Sequence, residues 1–404
     1  MPSFDLRWLF IDLNSYFASV EQQEAPALRG KPIGVVPALV DTSCCIAASY
    51  EAKAFGIKTG TLVRDAKWLC PKIRLVESRP HLYVDYHHRI VEAVDSCYPV
   101  ETIYSIDEMV CRLSGSEQAP DNALALAQKI KNTIKEQVGE CMRSSVGIAP
   151  NRWLSKMASE MKKPDGLTLI RHSDLPEILF PLELEDFAGI GPRMARRLAE
   201  AGIHTVQALC ALSERQMRMI WGNINGVRLW KWMRGEETGE ILTHRGSVGH
   251  THVLEPEFRT KKGALSTLQK LVSRAAHRLR NMGYWASRMS LQVEFSRGPT
   301  REFRARFDDA QDTPTFLKIL NDLWENVPAG SPFWVGICLY GLVSADRHTP
   351  TFWEDGKREK LSLVMDDIND RYGRDTLSYA VLAAGKGKAP TRIPYNWVPD
   401  LSEF

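Results

Sequence analysis

Asp12 ends the apolar run Trp8-Leu9-Phe10-Ile11-Asp12-Leu13, and Asp107 and Glu108 stand side by side in Tyr104-Ser105-Ile106-Asp107-Glu108. The first run reads as a buried strand that delivers a carboxylate at its tip. The second alternates apolar and polar residues through Ile103, Ile106, Met109 and Val110, which predicts a strand interrupted by two adjacent acids. If the two strands are neighbours, three negative charges converge at one sheet edge and repel unless cations sit among them. Ligands that are all oxygen favour Mg²⁺ or Mn²⁺. Two such ions about 4 Å apart are suited to in-line phosphoryl or nucleotidyl transfer. Spacing alone leaves open that these are unrelated surface acids at strand ends.

The residues after Asp12, Leu13-Asn14-Ser15-Tyr16-Phe17-Ala18-Ser19-Val20-Glu21, predict a tight turn and then a helix, with Asn14 and Ser15 as candidate caps. Free backbone N–H groups at such a turn suit a triphosphate. Further along stand Ala48-Ser49-Tyr50-Glu51-Ala52-Lys53 and Ser145-Val146-Gly147-Ile148-Ala149-Pro150-Asn151. Lys156-Met157-Ala158-Ser159-Glu160-Met161-Lys162-Lys163-Pro164-Asp165-Gly166 then closes on residues typical of a turn.

Taken together and in this order, these motifs resemble the Y-family (translesion) DNA polymerases, nearest their polymerase IV-like branch, over about residues 7–345. The resemblance implies an α+β multidomain fold. It has the right-hand polymerase plan of a ferredoxin-like palm, small fingers, a helical helix-hairpin-helix thumb and a little-finger α/β domain. It also assigns roles. Asp12, Asp107 and Glu108 match the catalytic, metal-binding acids, and the Leu13 carbonyl matches a further metal ligand. Phe17 falls on the steric-gate position that excludes a 2′-OH, and Tyr16 lies beside it under the nucleotide. Tyr50, Lys53 and Lys163 match the residues that grip the triphosphate, where a hydroxyl and two cations neutralise charge on leaving pyrophosphate. The implied cofactor is a pair of Mg²⁺ ions, with Mn²⁺ as the substitute. The implied partners are primer–template DNA and dNTPs, and the implied activity is low-fidelity, template-directed DNA synthesis across lesions, without proofreading.

The elements that must position these groups follow from the rest of the chain. The palm takes residues 1–21 and 81–170, the fingers 22–80, the thumb 171–240, the little finger 245–345 and a C-terminal tail 346–404. In the thumb, Phe187-Ala188-Gly189-Ile190-Gly191-Pro192-Arg193-Met194-Ala195-Arg196-Arg197 is a helix-hairpin-helix signal. Gly189 and Gly191 allow a sharp turn whose amides take a DNA phosphate, with Arg193, Arg196 and Arg197 beside it. Residues 245–345 hold 14 Lys and Arg against 9 Asp and Glu, a net +5 that exceeds the +3 of the whole chain. Within them Phe303, Ala305 and Phe307 share one strand face while Arg304 and Arg306 take the other, which suits phosphate tracking; simple solvated charge is the alternative. Helical patterns at about 262–282 and 313–326 are expected to cover the opposite side of that sheet.

The tail is punctuated by prolines around one helix-like segment, 361–373. Its Phe352 and Trp353 stand where relatives often carry a sliding-clamp peptide, although the usual Gln and Leu are absent. They either anchor a clamp or pack on the chain's own surface. Two departures from the family touch the fingers roof near Cys44, Cys45 and Ile46: Ile46 is bulkier than usual, and Ala47 lacks a hydroxyl. Both bear on which lesions pass.

Apolar content of 44% with 25% charged residues supplies ample core for two to four domains. No apolar run is long enough to cross a membrane, the start lacks a signal-peptide pattern, and eight cysteines lack metal-site spacing. They read as reduced thiols of a cytoplasmic, monomeric enzyme. The competing reading, a catalytically weak polymerase-like adaptor in a clamp-bound mutagenesis complex, calls for replaced acids and a long interaction tail.

Overall fold

A computed structural model describes residues 6–239, 246–296, 298–349, 356–373 and 375–385. The chain divides near residue 240 into two compact units.

The first unit runs β1 (Trp8–Leu13), α1 (Tyr16–Glu24), β2 (Ile33–Val36), β3 (Ala47–Ala48), α2 (Tyr50–Lys53), α3 (Val63–Leu69), β4 (Arg74–Glu77), α4 (Pro80–Asp95), β5 (Thr102–Ile103) and β6 (Glu108–Arg112). It continues through α5 (Pro120–Gln137), β7 (Ser144–Ala149), α6 (Arg152–Met161) and β8 (Leu167–Leu169) to four short helices. These are α7 (Pro192–Glu200), α8 (Val206–Cys210), α9 (Glu214–Trp221) and α10 (Ile224–Trp232). A five-stranded sheet has the order β5-β6-β1-β7-β8. Every residue of β1 is buried, because the strand is central and covered on both faces; this is why it reads as a continuous apolar run. A separate three-stranded sheet, β3-β2-β4, makes a small lobe with its own core around Val36, Cys45, Ala52 and Ile57.

Helix α6 lies directly on β7. A Cβ on Gly147 would stand 2.0 Å from the Ser155 carbonyl oxygen, so only glycine permits this approach. The Asn151 side chain caps α6 by accepting from the Leu154 amide at 2.8 Å. The far end of α6 shares a core with the helical segment through Trp153, Leu154, Met157, Phe187, Leu198 and Met217.

The second unit contains β9 (Ser247–Val253), α11 (Lys261–Asn281), β10 (Tyr284–Phe295), β11 (Arg301–Ala310), α12 (Thr313–Glu325), β12 (Pro332–Ser344) and α13 (Lys357–Tyr372). Its four-stranded sheet has the order β11-β10-β12-β9. Leu268, Leu271, Leu279, Phe316 and Leu320 of α11 and α12 pack on Leu291, Val293, Val335 and Leu339 of the sheet, so both helical patterns cover it as expected. Phe303, Ala305 and Phe307 join that core, while Arg304 and Arg306 are exposed. Phe352 and Trp353 of the tail lie outside the described residues. No helix among the described residues is long and apolar enough to cross a membrane. All eight cysteines are free thiols.

Helix α13 turns a polar stripe inward. Ser362 and Asp366 are buried, whereas Leu361, Val364 and Tyr372 are exposed. Asp366 receives two hydrogen bonds from Arg280, at 2.6 and 2.8 Å, and the third arm of that guanidinium donates to the Gln311 carbonyl at 2.7 Å. The Arg280 side chain is 2% exposed, so losing its partner strands a charge in the interior. Asp366→Ala is expected to destabilise this unit by about 3–5 kcal/mol, read as a lowered denaturant midpoint. A change below about 1 kcal/mol would show the pair to act as an exposed surface bridge.

Candidate active site

The antiparallel register of β1 with β6 sets Asp12 opposite Glu108, and the register with β7 sets Asp12 opposite Ser145. The strands expected to be neighbours are neighbours, and two of the three acids meet across them. Asp107 corrects the expectation that both adjacent acids lie on the strand: β6 begins at Glu108, and Asp107 belongs to the turn before it. Its carbonyl accepts from the Leu13 amide at 2.9 Å, and its carboxylate accepts from the Ser105 hydroxyl at 2.6 Å. The first bond ties the turn to β1 just beyond the Asp12–Glu108 pair, and the second is local to the turn. Behind the turn, the buried His87 of α4 donates from Nδ1 to the Ile106 carbonyl at 2.8 Å.

A fourth acid joins the cluster. Carboxylate oxygens of Asp12, Glu108 and Glu160 all lie within 4.8 Å of one another. Glu160 stands one turn after Lys156 on α6, a spacing that places both on one helix face. That i, i+4 pairing was the only sequence signal for either. Lys156 pairs with Glu108, and Lys163 reaches Asp12 at 2.7 Å and Glu160 at 2.9 Å. The donor set is entirely oxygen and closely spaced, which fits a hard divalent cation such as Mg²⁺ or Mn²⁺.

Burial pushes the Asp12 carboxyl up, to about 7, with Glu160 and Asp107 adding to the shift and Lys163 opposing it. Burial also raises Asp107, with Glu108 contributing. Burial alone would lower the Lys163 ammonium, but Asp12 and Glu160 outweigh it and hold it above its ordinary value. Lys53 is lowered, first by burial and then by the Lys163 charge. Its ammonium lies 4.3 Å over the Tyr50 ring, and both groups feel the charges of Lys163, Asp12 and Glu160. Tyr50, Lys53 and Lys163 therefore share one electrostatic site with the acids.

The turn after Asp12 differs from its expected capping. Ser15 adopts φ 48°, ψ 45°, and its side chain makes no cap bond, because the left-handed conformation turns it away from the helix amides. Asn14 bonds across the site instead. It donates to the Ser145 hydroxyl at 2.9 Å and accepts from the Asp165 amide at 2.7 Å. Tyr16 is buried, with its hydroxyl donating to the Tyr83 carbonyl at 2.6 Å. Phe17 stacks on Tyr83 at 4.5 Å between ring centres. Tyr83 donates to the buried Glu21 at 2.7 Å, and Arg79 pairs with the same carboxylate at 2.5 Å. In the small lobe, Cys45 is buried within its core, so it cannot roof a bound base pair; Cys44 and Ile46 are half-exposed, and Ala47 is buried.

The hairpin before α7 holds Gly189 at φ 99°, which favours glycine, and Gly191 caps the helix. Arg193, Arg196 and Arg197 are all exposed, and Arg197 also donates to the Trp221 carbonyl at 3.2 Å, so it ties α7 to α9.

The impB/mucB/samB family matches residues 11–160 and its C-terminal domain residues 245–351, with a SAM-like helix-hairpin-helix tandem at 181–222. The chain is 32% identical to the DNA polymerase IV of Moorella thermoacetica, over 96% of its own length and 98% of the relative's. It is 30% identical to DNA polymerase IV 1 of Bacillus subtilis, over 92% of each. Among solved structures, a Y-family DNA polymerase chimera shares the fold with a TM-score of 0.72 at 24% identity, over 84% of this chain and 99% of that one. DinB from Sulfolobus solfataricus does so at 0.54 and 24% identity, over 83% and 98%.

Burial holds His87 down, at about 4, against 6.5 for a free imidazole. The unfolded chain therefore takes up a proton first, so stability is full above pH 6.5 and falls as pH drops from 6.5 to 4. The loss is expected to reach about 3 kcal/mol. Denaturant unfolding at stepped pH, compared with His87→Gln, checks this: the variant should show a flatter profile over that window.

Proposed function

This chain belongs to the impB/mucB/samB family, the Y-family DNA polymerases of the pol IV type, and from that premise we propose how its own residues carry out template-directed DNA synthesis across damaged template. The adaptor alternative finds no support, since its relatives over the full length are named DNA polymerase IV and the acids are in place. The observation that carries the reading is the meeting of Asp12 with Glu108 across the β1–β6 register, with Lys163 at 2.7 Å from Asp12.

Y-family polymerases are metal-dependent. On this reading Asp12, Asp107, Glu108 and the Leu13 carbonyl would hold two divalent cations such as Mg²⁺, which would supply Lewis-acid activation of the primer 3′-OH and neutralise charge on the triphosphate. Lys163, Lys53 and Tyr50 bind the triphosphate and neutralise the charge that builds as pyrophosphate leaves. Lys163 suits this task because its ammonium is held charged beside Asp12 and Glu160. Phe17 lies against the nucleotide sugar as the steric gate, stiffened from behind by Tyr83. Gly189, Gly191 and Arg193 take phosphates at the hairpin, and Arg304 and Arg306 track the backbone from the exposed face of β11, contacts that position the duplex without reading sequence. In domain terms the five-stranded sheet is the palm, the small lobe the fingers, α7–α10 the thumb and β9–β12 with α11 and α12 the little finger, with α13 in the tail. For Phe352 and Trp353 the two readings stand side by side, packing on the chain's own surface and anchoring a sliding clamp.

The double substitution Asp107→Ala/Glu108→Ala is expected to abolish primer extension in Mg²⁺ while leaving primer–template affinity essentially unchanged. Extension near the wild-type rate would overturn the metal assignment. Phe17→Ala is expected to raise ribonucleotide insertion relative to deoxyribonucleotide by about 10–200-fold, the range of a single steric contact. Unchanged sugar selectivity in single-nucleotide insertion would remove Phe17 from that role.

A further inference from the structure

Lys131 is a lysine whose ammonium points inward. Its side chain is only 10% exposed, on helix α5 behind the sheet. The Nζ donates to the Asp165 carbonyl at 2.6 Å, the Asp165 carboxylate at 2.7 Å and the Ser144 carbonyl at 2.8 Å, with the Gly166 carbonyl at 3.3 Å. Three of those four acceptors belong to the turn that follows Lys163. The fourth, Ser144, pairs with Leu13 in the β1–β7 register.

The turn depends on side chains from elsewhere. Asp165 sits at φ 58°, a conformation that non-glycine residues adopt only where their surroundings hold them. Its amide donates to Asn14 Oδ1 at 2.7 Å, and the Gly166 amide donates to the Ser145 hydroxyl at 3.3 Å. Asn14 and Ser145 thus hold the turn's amides from the Asp12 side, and Lys131 holds its carbonyls from the rear.

We infer that Lys131 is a positioning residue for nucleotide binding: it fixes the 163–166 turn against the start of β7, and so sets where the Lys163 ammonium stands relative to Asp12. The inference rests on the reading of Lys163 as a triphosphate ligand. A neutral side chain of similar length leaves the turn's carbonyls without their cation, and Lys163 then samples positions away from the site. The loss should fall on nucleotide binding and act through Lys163 alone.

The test is single-nucleotide insertion with the full chain, comparing wild type, Lys131→Met, Lys163→Ala and the double variant. Lys131→Met should raise the dNTP KM about tenfold, with primer–template Kd changed less than about twofold. The double variant should be no worse than Lys163→Ala, because both changes disable one group. A general structural defect would lower kcat and DNA affinity as well and would multiply with Lys163→Ala; that pattern overturns the inference. An unchanged KM in Lys163→Ala refutes the reading of Lys163 itself and the inference with it. An unchanged KM in Lys131→Met alone, beside an impaired Lys163→Ala, refutes only the role of Lys131. If Lys131→Met does not fold, Asp165→Ala decides, since it removes one half-exposed partner of the same ammonium. It should raise the KM in the same direction by about threefold, and no rise would overturn the proposal.

Discussion

Everything in the first unit answers to the cost of bringing carboxylates together in a poorly hydrated place. A carboxylate moved out of water is penalised by several kcal/mol unless cations and hydrogen bonds replace its hydration. Asp12 bears that penalty most, being buried at the end of a fully covered strand opposite Glu108. The fold balances the cluster from α6 and from the turn after it, with Lys156 on Glu108 and Lys163 on Asp12 and Glu160. A site so arranged attracts cations and orders its own ammonium groups. Both properties serve a reaction in which negative charge accumulates on a leaving pyrophosphate.

Holding such a cluster still requires support that does not itself carry reacting groups. Asn14 locks the Asp12 turn to the Lys163 turn through Ser145 and the Asp165 amide. Phe17 is supported in the same manner. Glu21, 1% exposed in the middle of α1, would be out of place in a helix core without Arg79 and the Tyr83 hydroxyl on its two oxygens. That network fixes Tyr83, and Tyr83 fixes Phe17 by stacking. The charge network around Glu21 thus holds the Phe17 ring in place through Tyr83.

What was legible in the sequence follows from the range of the interactions concerned. Strand β1, the Lys-Pro-Asp-Gly turn and the alternation of β11 are written in local patterns, so the elements that carry Asp12, Lys163, Arg304 and Arg306 are legible in the chain itself. Glu160 and Lys156 are not, because their meaning comes from α6 crossing β7 at Gly147, a contact with no local signature beyond a glycine. The apolar alternation through Asp107 predicts a strand there, whereas a serine hydroxyl and the Leu13 amide hold it in a turn. Ser15 had the composition of a cap and the backbone of a left-handed turn, which composition does not encode. Arg197 stays exposed on the basic helix and also bonds the carbonyls that end α9, a tertiary contact with no local signature.

The second unit shows the same logic with the polarity reversed. Helix α13 buries Ser362 and Asp366 most deeply, while its leucines and valine face out. It is held by Asp366, which meets Arg280 in a bidentate pair and His277 at 3.0 Å. Arg280 in turn bonds the Gln311 carbonyl and the Thr313 hydroxyl at the start of α12, so one guanidinium joins three helices. A bidentate pair is directional where apolar packing is not. The helix is therefore fixed in rotation as well as position, and its outward residues follow from that constraint rather than from any preference for water.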